Sequence, residues 1–131
     1  MPRIKTIRVL LCNKHNLFRE GIKALLEEKP SLEVVGEAST ASDALRLMKT
    51  VRPDVVLMDE TTSDASGPDA IRNFKEIDPA VEVLILSIHD DELLISNCLN
   101  AGAAGYIRKN DPPLHLKRAI DTAYRKAHRA A

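Results

Sequence analysis

The sequence predicts an α/β protein built on a doubly wound parallel sheet. Five short apolar segments alternate with five amphipathic helical segments, and the connections between them are short. The third apolar segment, residues 55–58, reads Val-Val-Leu-Met without a polar interruption. Such a run is typical of a central parallel strand that is buried on both faces. It ends at a carboxylate, Asp59.

The elements follow in order along the chain. Asn16 is expected to cap the first helix, and Thr40 or Ser42 the second. Turn-forming residues over Thr61–Pro68 predict a loop, so the third helix should run from about Asp69 to Asp78. Pro112-Pro113 suits the start of the last helix. We expect strands at 7–12, 32–38, 53–59, 81–88 and 104–107, each followed by a helix.

Right-handed crossovers place helices on both faces of such a sheet. At this length a flavodoxin-like (βα)5 arrangement, with strand order 2-1-3-4-5, is one of two common solutions. The first and third strands then flank the point where the order reverses, outside whose carboxyl ends these folds bind ligands. We therefore expect Asn13 and Lys14, which follow the first strand, to lie beside Asp59.

Composition excludes several classes of protein. The chain has 131 residues, enough for one domain, and its 19 Lys and Arg balance 19 Asp and Glu, which argues against a free nucleic-acid binder. No apolar run approaches the roughly 20 residues that span a membrane, and the N-terminus lacks signal-peptide features. We expect a cytoplasmic protein in which Cys12 and Cys98 are buried thiols.

Several sequence stretches, in their order and spacing, resemble the receiver domain of bacterial two-component response regulators of the NarL/LuxR type. The resemblance covers about residues 5–125 of a receiver domain spanning 1–131, with 126–131 as the start of a linker or tail. The matching stretches are residues 7–11, 17–21 (Leu-Phe-Arg-Glu-Gly), 34–38 (Val-Val-Gly-Glu-Ala), 52–59, 87–91 (Ser-Ile-His-Asp-Asp) and 101–106 (Ala-Gly-Ala-Ala-Gly-Tyr).

The resemblance assigns roles to four positions. Asp59 takes the phosphoacceptor position, Ser87 the switch hydroxyl, Tyr106 the rotating aromatic and Lys109 the phosphate-contacting lysine. It implies a signalling domain with no catalytic residues of its own, a sensor histidine kinase and a second copy as partners, and DNA contact only through a C-terminal domain outside this chain. The chain is then either a fragment of a transcription regulator or a stand-alone receiver.

The sequence departs from the family at the metal site. Two acids that hold Mg²⁺ in the family are replaced by Asn13 and Lys14, so we expect impaired Mg²⁺ binding and no metal cofactor. Lys14 either places its ammonium beside Asp59 or extends to water. Glu60 is an alternative surrogate ligand.

Two functions follow from this departure. One is an atypical receiver that works through protein contacts without Mg²⁺-dependent phosphorylation. The other is a conventional phosphoacceptor modified on Asp59 by a histidine kinase. In the first, Asp59 only holds its loop, Ser87 is an ordinary strand-end serine, and Tyr106 is a frozen switch or an interface residue. The basic face of the last helix is either solvated surface or a partner contact.

Two enzyme or ligand-binding classes fit less well. Haloacid dehalogenase-type phosphatases carry a second aspartate two residues after the nucleophile, whereas Thr61 stands there. Nucleotide-binding modules need a glycine-rich or hydroxyl-rich loop after the first strand, and Cys12-Asn13-Lys14-His15 is not one.

Overall fold

Five parallel strands form one sheet in the order β2-β1-β3-β4-β5, which confirms the predicted flavodoxin-like topology. The computed structural model describes residues 6–59, 66–87 and 92–128. The elements are β1 (Ile7–Cys12), α1 (Asn16–Glu27), β2 (Leu32–Ala38), α2 (Ala41–Val51), β3 (Val55–Asp59), α3 (Gly67–Ile77), β4 (Glu82–Ser87), α4 (Glu92–Asn100), β5 (Gly105–Arg108) and α5 (Pro113–His128).

Two apolar layers sandwich the sheet. Residues of α1 and α5 pack against one face, and residues of α2, α3 and α4 pack against the other. On β3, Val55 and Leu57 belong to the α1/α5 layer, whereas Val56 and Met58 belong to the opposite layer. Because both faces are covered, every residue of β3 is buried, as its unbroken apolar run predicts. Strand alternation then places Asp59 on the α1/α5 side.

The first helix begins differently from the prediction. His15, not Asn16, is the N-cap residue, and it makes no side-chain capping hydrogen bond. Asn16 is the first helical residue, and its Oδ1 accepts a hydrogen bond from Nη2 of Arg19 at 2.7 Å. The Asn16 side chain is therefore occupied by an arginine one turn later rather than by the backbone of the helix.

The next two helices have side-chain caps. Thr40 caps α2, as predicted, by accepting from the backbone N–H of Asp43 at 3.1 Å. Ser66 caps α3 by accepting from the backbone N–H of Asp69 at 3.2 Å. Because Pro is well tolerated in the first helical turn, α3 begins two residues before the predicted start and includes residues 67 and 68.

The remaining boundaries shift by a few residues. β4 begins one residue later than predicted, and both ends of β5 lie one residue later than predicted. α5 continues through 126–128, where we expected a tail. Leu114, an apolar residue in the first turn of α5, is 52% exposed. Cys12 and Cys98 are buried thiols, as predicted. None of the helices in the described ranges is long and apolar enough to cross a membrane.

Candidate functional site

The candidate site lies at the carboxyl edge of the sheet, where β3 ends. The Asp59 side chain is fully buried there. Asn13 follows β1, the neighbouring strand, and is also buried. Ser87 ends β4 on the other side of β3 and is buried, and its backbone oxygen accepts from the Lys109 N–H at 2.8 Å. The sheet thus brings together four of the predicted site residues.

One oxygen of Asp59 receives two partners. Nδ2 of Asn13 donates to Oδ2 of Asp59 at 2.9 Å, and the Lys109 ammonium forms an ion pair with the same Oδ2. The Lys109 side chain is only 16% exposed, so solvent screens this pair weakly. Charge-assisted hydrogen bonds of this kind are about twice as strong as neutral ones. The buried acid is therefore neutralised from within the protein.

The Asn13 residue is fixed from several directions. Its Oδ1 accepts from the backbone N–H of His15 at 2.8 Å, which leaves the amide NH₂ to face Asp59. Its backbone N–H donates to the oxygen of Ala38 at 2.9 Å, and its backbone oxygen accepts from Nη1 of Arg19 at 2.6 Å. The side chain thus acts as a donor towards the site rather than as an oxygen ligand.

Arg19 is a site-supporting residue that sequence reasoning did not single out. Its Nε pairs with Oε1 of Glu37 at 3.1 Å, and its Nη1 reaches Oγ of Ser39 at 3.3 Å as well as the Asn13 backbone oxygen. The Arg19 side chain is 14% exposed, and the Glu37 side chain that it pairs with is also partly buried. Both residues belong to matched stretches of the sequence, 17–21 and 34–38, but only the fold shows that they meet.

Of the two arrangements expected for Lys14, the structure has the exposed one. Lys14 forms no ion pair within the described residues, and the ammonium beside Asp59 is that of Lys109. Among the described residues, the buried charges that meet at this site are therefore one carboxylate and one ammonium, whose sum is zero. The expectation that Lys14 is the counter-ion of Asp59 is therefore wrong, and Lys109 takes that place. The long Lys14 side chain stays hydrated at the surface.

Tyr106 lies on the other side of the sheet from the Asp59 carboxylate. It is half-buried and packs against the layer of α2, α3 and α4, whereas its neighbour Ile107 packs against α1 and α5. Tyr106 and Ser87 both make polar or ring contacts in this structure. The predicted aromatic position is therefore separated from the acid by the sheet itself.

Among the described residues, the groups that contact Oδ2 of Asp59 include an amide NH₂ and an ammonium, and neither is a ligand for Mg²⁺. Mg²⁺ binds oxygen ligands, with carboxylates among them. Here Oδ2 of Asp59 faces two donors, and Oδ1 of Asn13 is engaged by a backbone N–H. Across residues 6–59, 66–87 and 92–128, no three His, Cys, Asp or Glu side chains are placed to share a metal ion. Glu60, the alternative ligand, lies outside the described residues.

The fold and the site together define the class of protein. A five-stranded sheet of this order, with an acid at the end of β3 and a lysine after β5, is the arrangement expected of a signalling receiver. Residues 9–121 match the family model for the response regulator receiver domain. The chain belongs to this family, whose members are signalling modules rather than classical enzymes.

Individual relatives define the subtype. The chain is 40% identical to the transcriptional regulatory protein DegU of Brevibacillus brevis over 79% of this chain and 44% of that protein. It is 37% identical to the response regulator UvrY of Escherichia coli K12 over 90% of this chain and 54% of that protein. The chain thus spans about half the length of these curated relatives.

Solved structures agree with this assignment. A LuxR-family response regulator from Aurantimonas superposes with a TM-score of 0.88 at 34% identity, covering 93% of this chain and 87% of that one. The signal receiver domain of the response regulator NarL from Mycobacterium tuberculosis gives a TM-score of 0.85 at 32% identity, covering 91% and 97%. The chain is a receiver domain of the NarL/LuxR type.

Proposed function

We propose that this receiver signals through protein contacts and works without Mg²⁺-dependent phosphorylation of Asp59. One observation carries the proposal. Oδ2 of Asp59 is held by the Asn13 amide and the Lys109 ammonium at once. A phosphodonor would have to compete with both partners for this oxygen, and Lys109 alone, without Mg²⁺, would neutralise the transferred phosphoryl group.

The substitution of two acids by Asn13 and Lys14 supports the same proposal. Neither residue contributes an anionic oxygen, and the Asn13 amide presents its NH₂ group to the site. Mg²⁺ would therefore find an already neutral pair, Asp59 with Lys109, and would have to displace a donor before gaining a ligand. We infer weak or absent Mg²⁺ binding and no other cofactor.

A conventional phosphoacceptor remains the second candidate function, and a specific observation favours it. Asp59, Ser87 and Lys109 all stand at one edge of the sheet, in the positions that a phosphorylated receiver uses. In that case Asp59 would attack phosphorus as a carboxylate nucleophile, and Lys109 would transfer from the acid to the phosphoryl oxygens.

The relatives suggest the partners. Two of them carry the names transcriptional regulatory protein and response regulator, and this chain matches about half of the length of each. We infer that the receiver belongs to a transcription regulator, that DNA contact is made by a region outside this chain, and that a sensor histidine kinase and a second receiver are candidate partners.

Intact-mass spectrometry separates the two functions. The protein is incubated with acetyl phosphate in EDTA or in Mg²⁺, and phosphorylation of Asp59 is read as the added phosphoryl mass. We expect no Mg²⁺-dependent adduct with the parent chain. An adduct that requires Mg²⁺ and disappears in Asp59→Asn would establish the conventional function instead.

Two matched variants make a negative result informative. The double variant Asn13→Asp, Lys14→Asp restores both acids, so it should gain a Mg²⁺-dependent adduct if the rest of the site is competent. Lys14→Asp alone restores only the exposed acid and should gain less. If the double variant also fails, the loss of phosphorylation lies beyond the metal ligands.

A further inference from the structure

We propose that Phe18 is a positioning residue that holds the Lys109 ammonium on Asp59. The Lys109 Nζ lies 4.8 Å from the centroid of the Phe18 ring while it also pairs with Oδ2 of Asp59. A cation within about 6 Å of an aromatic face is attracted by the ring quadrupole. The ammonium thus lies between a negative carboxylate and a negative ring face.

The surroundings of Lys109 explain why such a contact is needed. A cavity of about 90 Å³ separates α1 from the segment after β5, and its lining includes Phe18, Lys109 and Pro113. The cavity therefore leaves free space beside the lysine side chain, which has four rotatable bonds. Two attractions, to the acid and to the ring, restrict the position of its ammonium.

The location of Phe18 makes the contact specific. Phe18 lies on α1 in the α1/α5 layer, the same side of the sheet to which strand alternation directs Asp59. Arg19, the next residue, fixes the Asn13 backbone. Adjacent residues of α1 therefore hold two groups that contact Asp59: Arg19 holds Asn13, and Phe18 holds Lys109.

The inference rests on the proposed function in one respect, that the Lys109–Asp59 pair is the resting arrangement of the site. If the ring only fills space, an apolar side chain of similar volume should replace it. If the ring face attracts the ammonium, only an aromatic residue should do so. Phe18→Leu and Phe18→Tyr distinguish these cases, because leucine lacks a quadrupole and tyrosine retains it.

NMR of the full chain without phosphodonor or Mg²⁺ provides the readout. Two quantities are measured for Lys109: the ring-current shift of its Hε protons and the rate at which its ammonium protons exchange with water. In Phe18→Leu we expect the upfield shift to vanish and exchange to accelerate by about 5-fold, and in Phe18→Tyr both should stay close to the parent values. Lys109→Met assigns the signals.

Leu17→Ala is the matched control, since Leu17 is the neighbouring α1 residue and is 83% exposed. It should leave both quantities unchanged. Unchanged exchange in Phe18→Leu, or equal acceleration in Phe18→Leu and Phe18→Tyr, would overturn the inference. If Phe18→Leu does not fold, trifluorophenylalanine placed at position 18 tests the same point with the ring shape retained. Because no phosphorylation is measured, the inference and the proposed function can fail separately.

Discussion

Substitution of Asn13 measures most directly how strongly its amide stabilises the buried Asp59 carboxylate. Replacing Asn13 by Asp exchanges the NH₂ donor, 2.9 Å from Oδ2 of Asp59, for a second anionic oxygen. The variant loses a hydrogen bond to a charged acceptor, which contributes about 1.5–3 kcal/mol. It also brings two carboxylate oxygens to roughly 3 Å, a repulsion of about 5 kcal/mol at an effective dielectric of 20.

Part of this cost is recovered in the folded state. Lys109 still neutralises one carboxylate, and the loop that carries residue 13 can move outwards. We therefore expect the free energy of unfolding to fall by about 3 kcal/mol in Mg²⁺-free buffer, which corresponds to roughly 10 °C in Tm for a domain of this size. Urea unfolding at neutral pH and low salt gives the measurement.

Mg²⁺ should restore the lost free energy of unfolding only in a variant whose carboxylates can bind the ion. In Asn13→Asp, Lys14→Asp, Mg²⁺ at about 100 times its Kd should add about 2.7 kcal/mol, whereas the parent should change by less than about 0.5 kcal/mol. Asn13→Ala removes the donor without adding charge, and Asn73→Asp adds charge at an exposed site on α3. Neither control should respond to Mg²⁺. A fully stable Asn13→Asp in Mg²⁺-free buffer would refute the reasoning.

Three further predictions concern single side chains. Lys109→Met removes the ammonium partner of the buried Asp59 carboxylate and should lower the free energy of unfolding by about 3–5 kcal/mol in urea titrations; a change below about 1 kcal/mol would contradict a strong pair. Lys14→Ala should change the free energy of unfolding by less than about 0.5 kcal/mol in the same titrations, because the Lys14 side chain is exposed and has no ion pair within the described residues. A larger loss would show that Lys14 makes a stabilising contact. Arg52, the C-cap residue of α2, has a φ of 47°, which is strained for a residue other than glycine. Arg52→Gly should therefore raise the free energy of unfolding by about 0.5–1 kcal/mol, measured as a small increase in Tm. A lower Tm would mean that the arginine side chain stabilises the fold by more than its backbone strain costs.

Much of the fold follows from local patterns in the sequence. The unbroken apolar run before Asp59 predicts a strand covered on both faces, and the structure buries each of its residues. Because the carboxyl ends of parallel strands meet at one edge, the same reasoning correctly brings Asn13 to Asp59. These predictions depend on the pattern of apolar residues within each segment and on the order of the segments along the chain, and the sequence shows both directly.

The details of the site depend on competition that the sequence does not display. Two lysines, Lys14 and Lys109, follow strands at the same edge, and charge alone does not say which of them reaches Asp59. The outcome depends on the loop geometry and on the Phe18 ring over Lys109. Likewise Asn16 is a good capping residue by type, but Arg19 engages its side chain. Long side chains reach partners that spacing along the chain does not reveal.

The Arg19 contacts have a consequence for comparing receivers. Glu37 lies on the outermost strand β2, two strands from Asp59, yet it anchors the arginine that grips the Asn13 backbone. A substitution of Glu37 would thus change the position of the Asn13 amide beside Asp59, although no residue next to Asp59 is altered. Relatives grouped only by the residues that surround the phosphoacceptor acid would be grouped wrongly. Two chains with identical residues there can differ in the more distant residues that fix the backbone of the site.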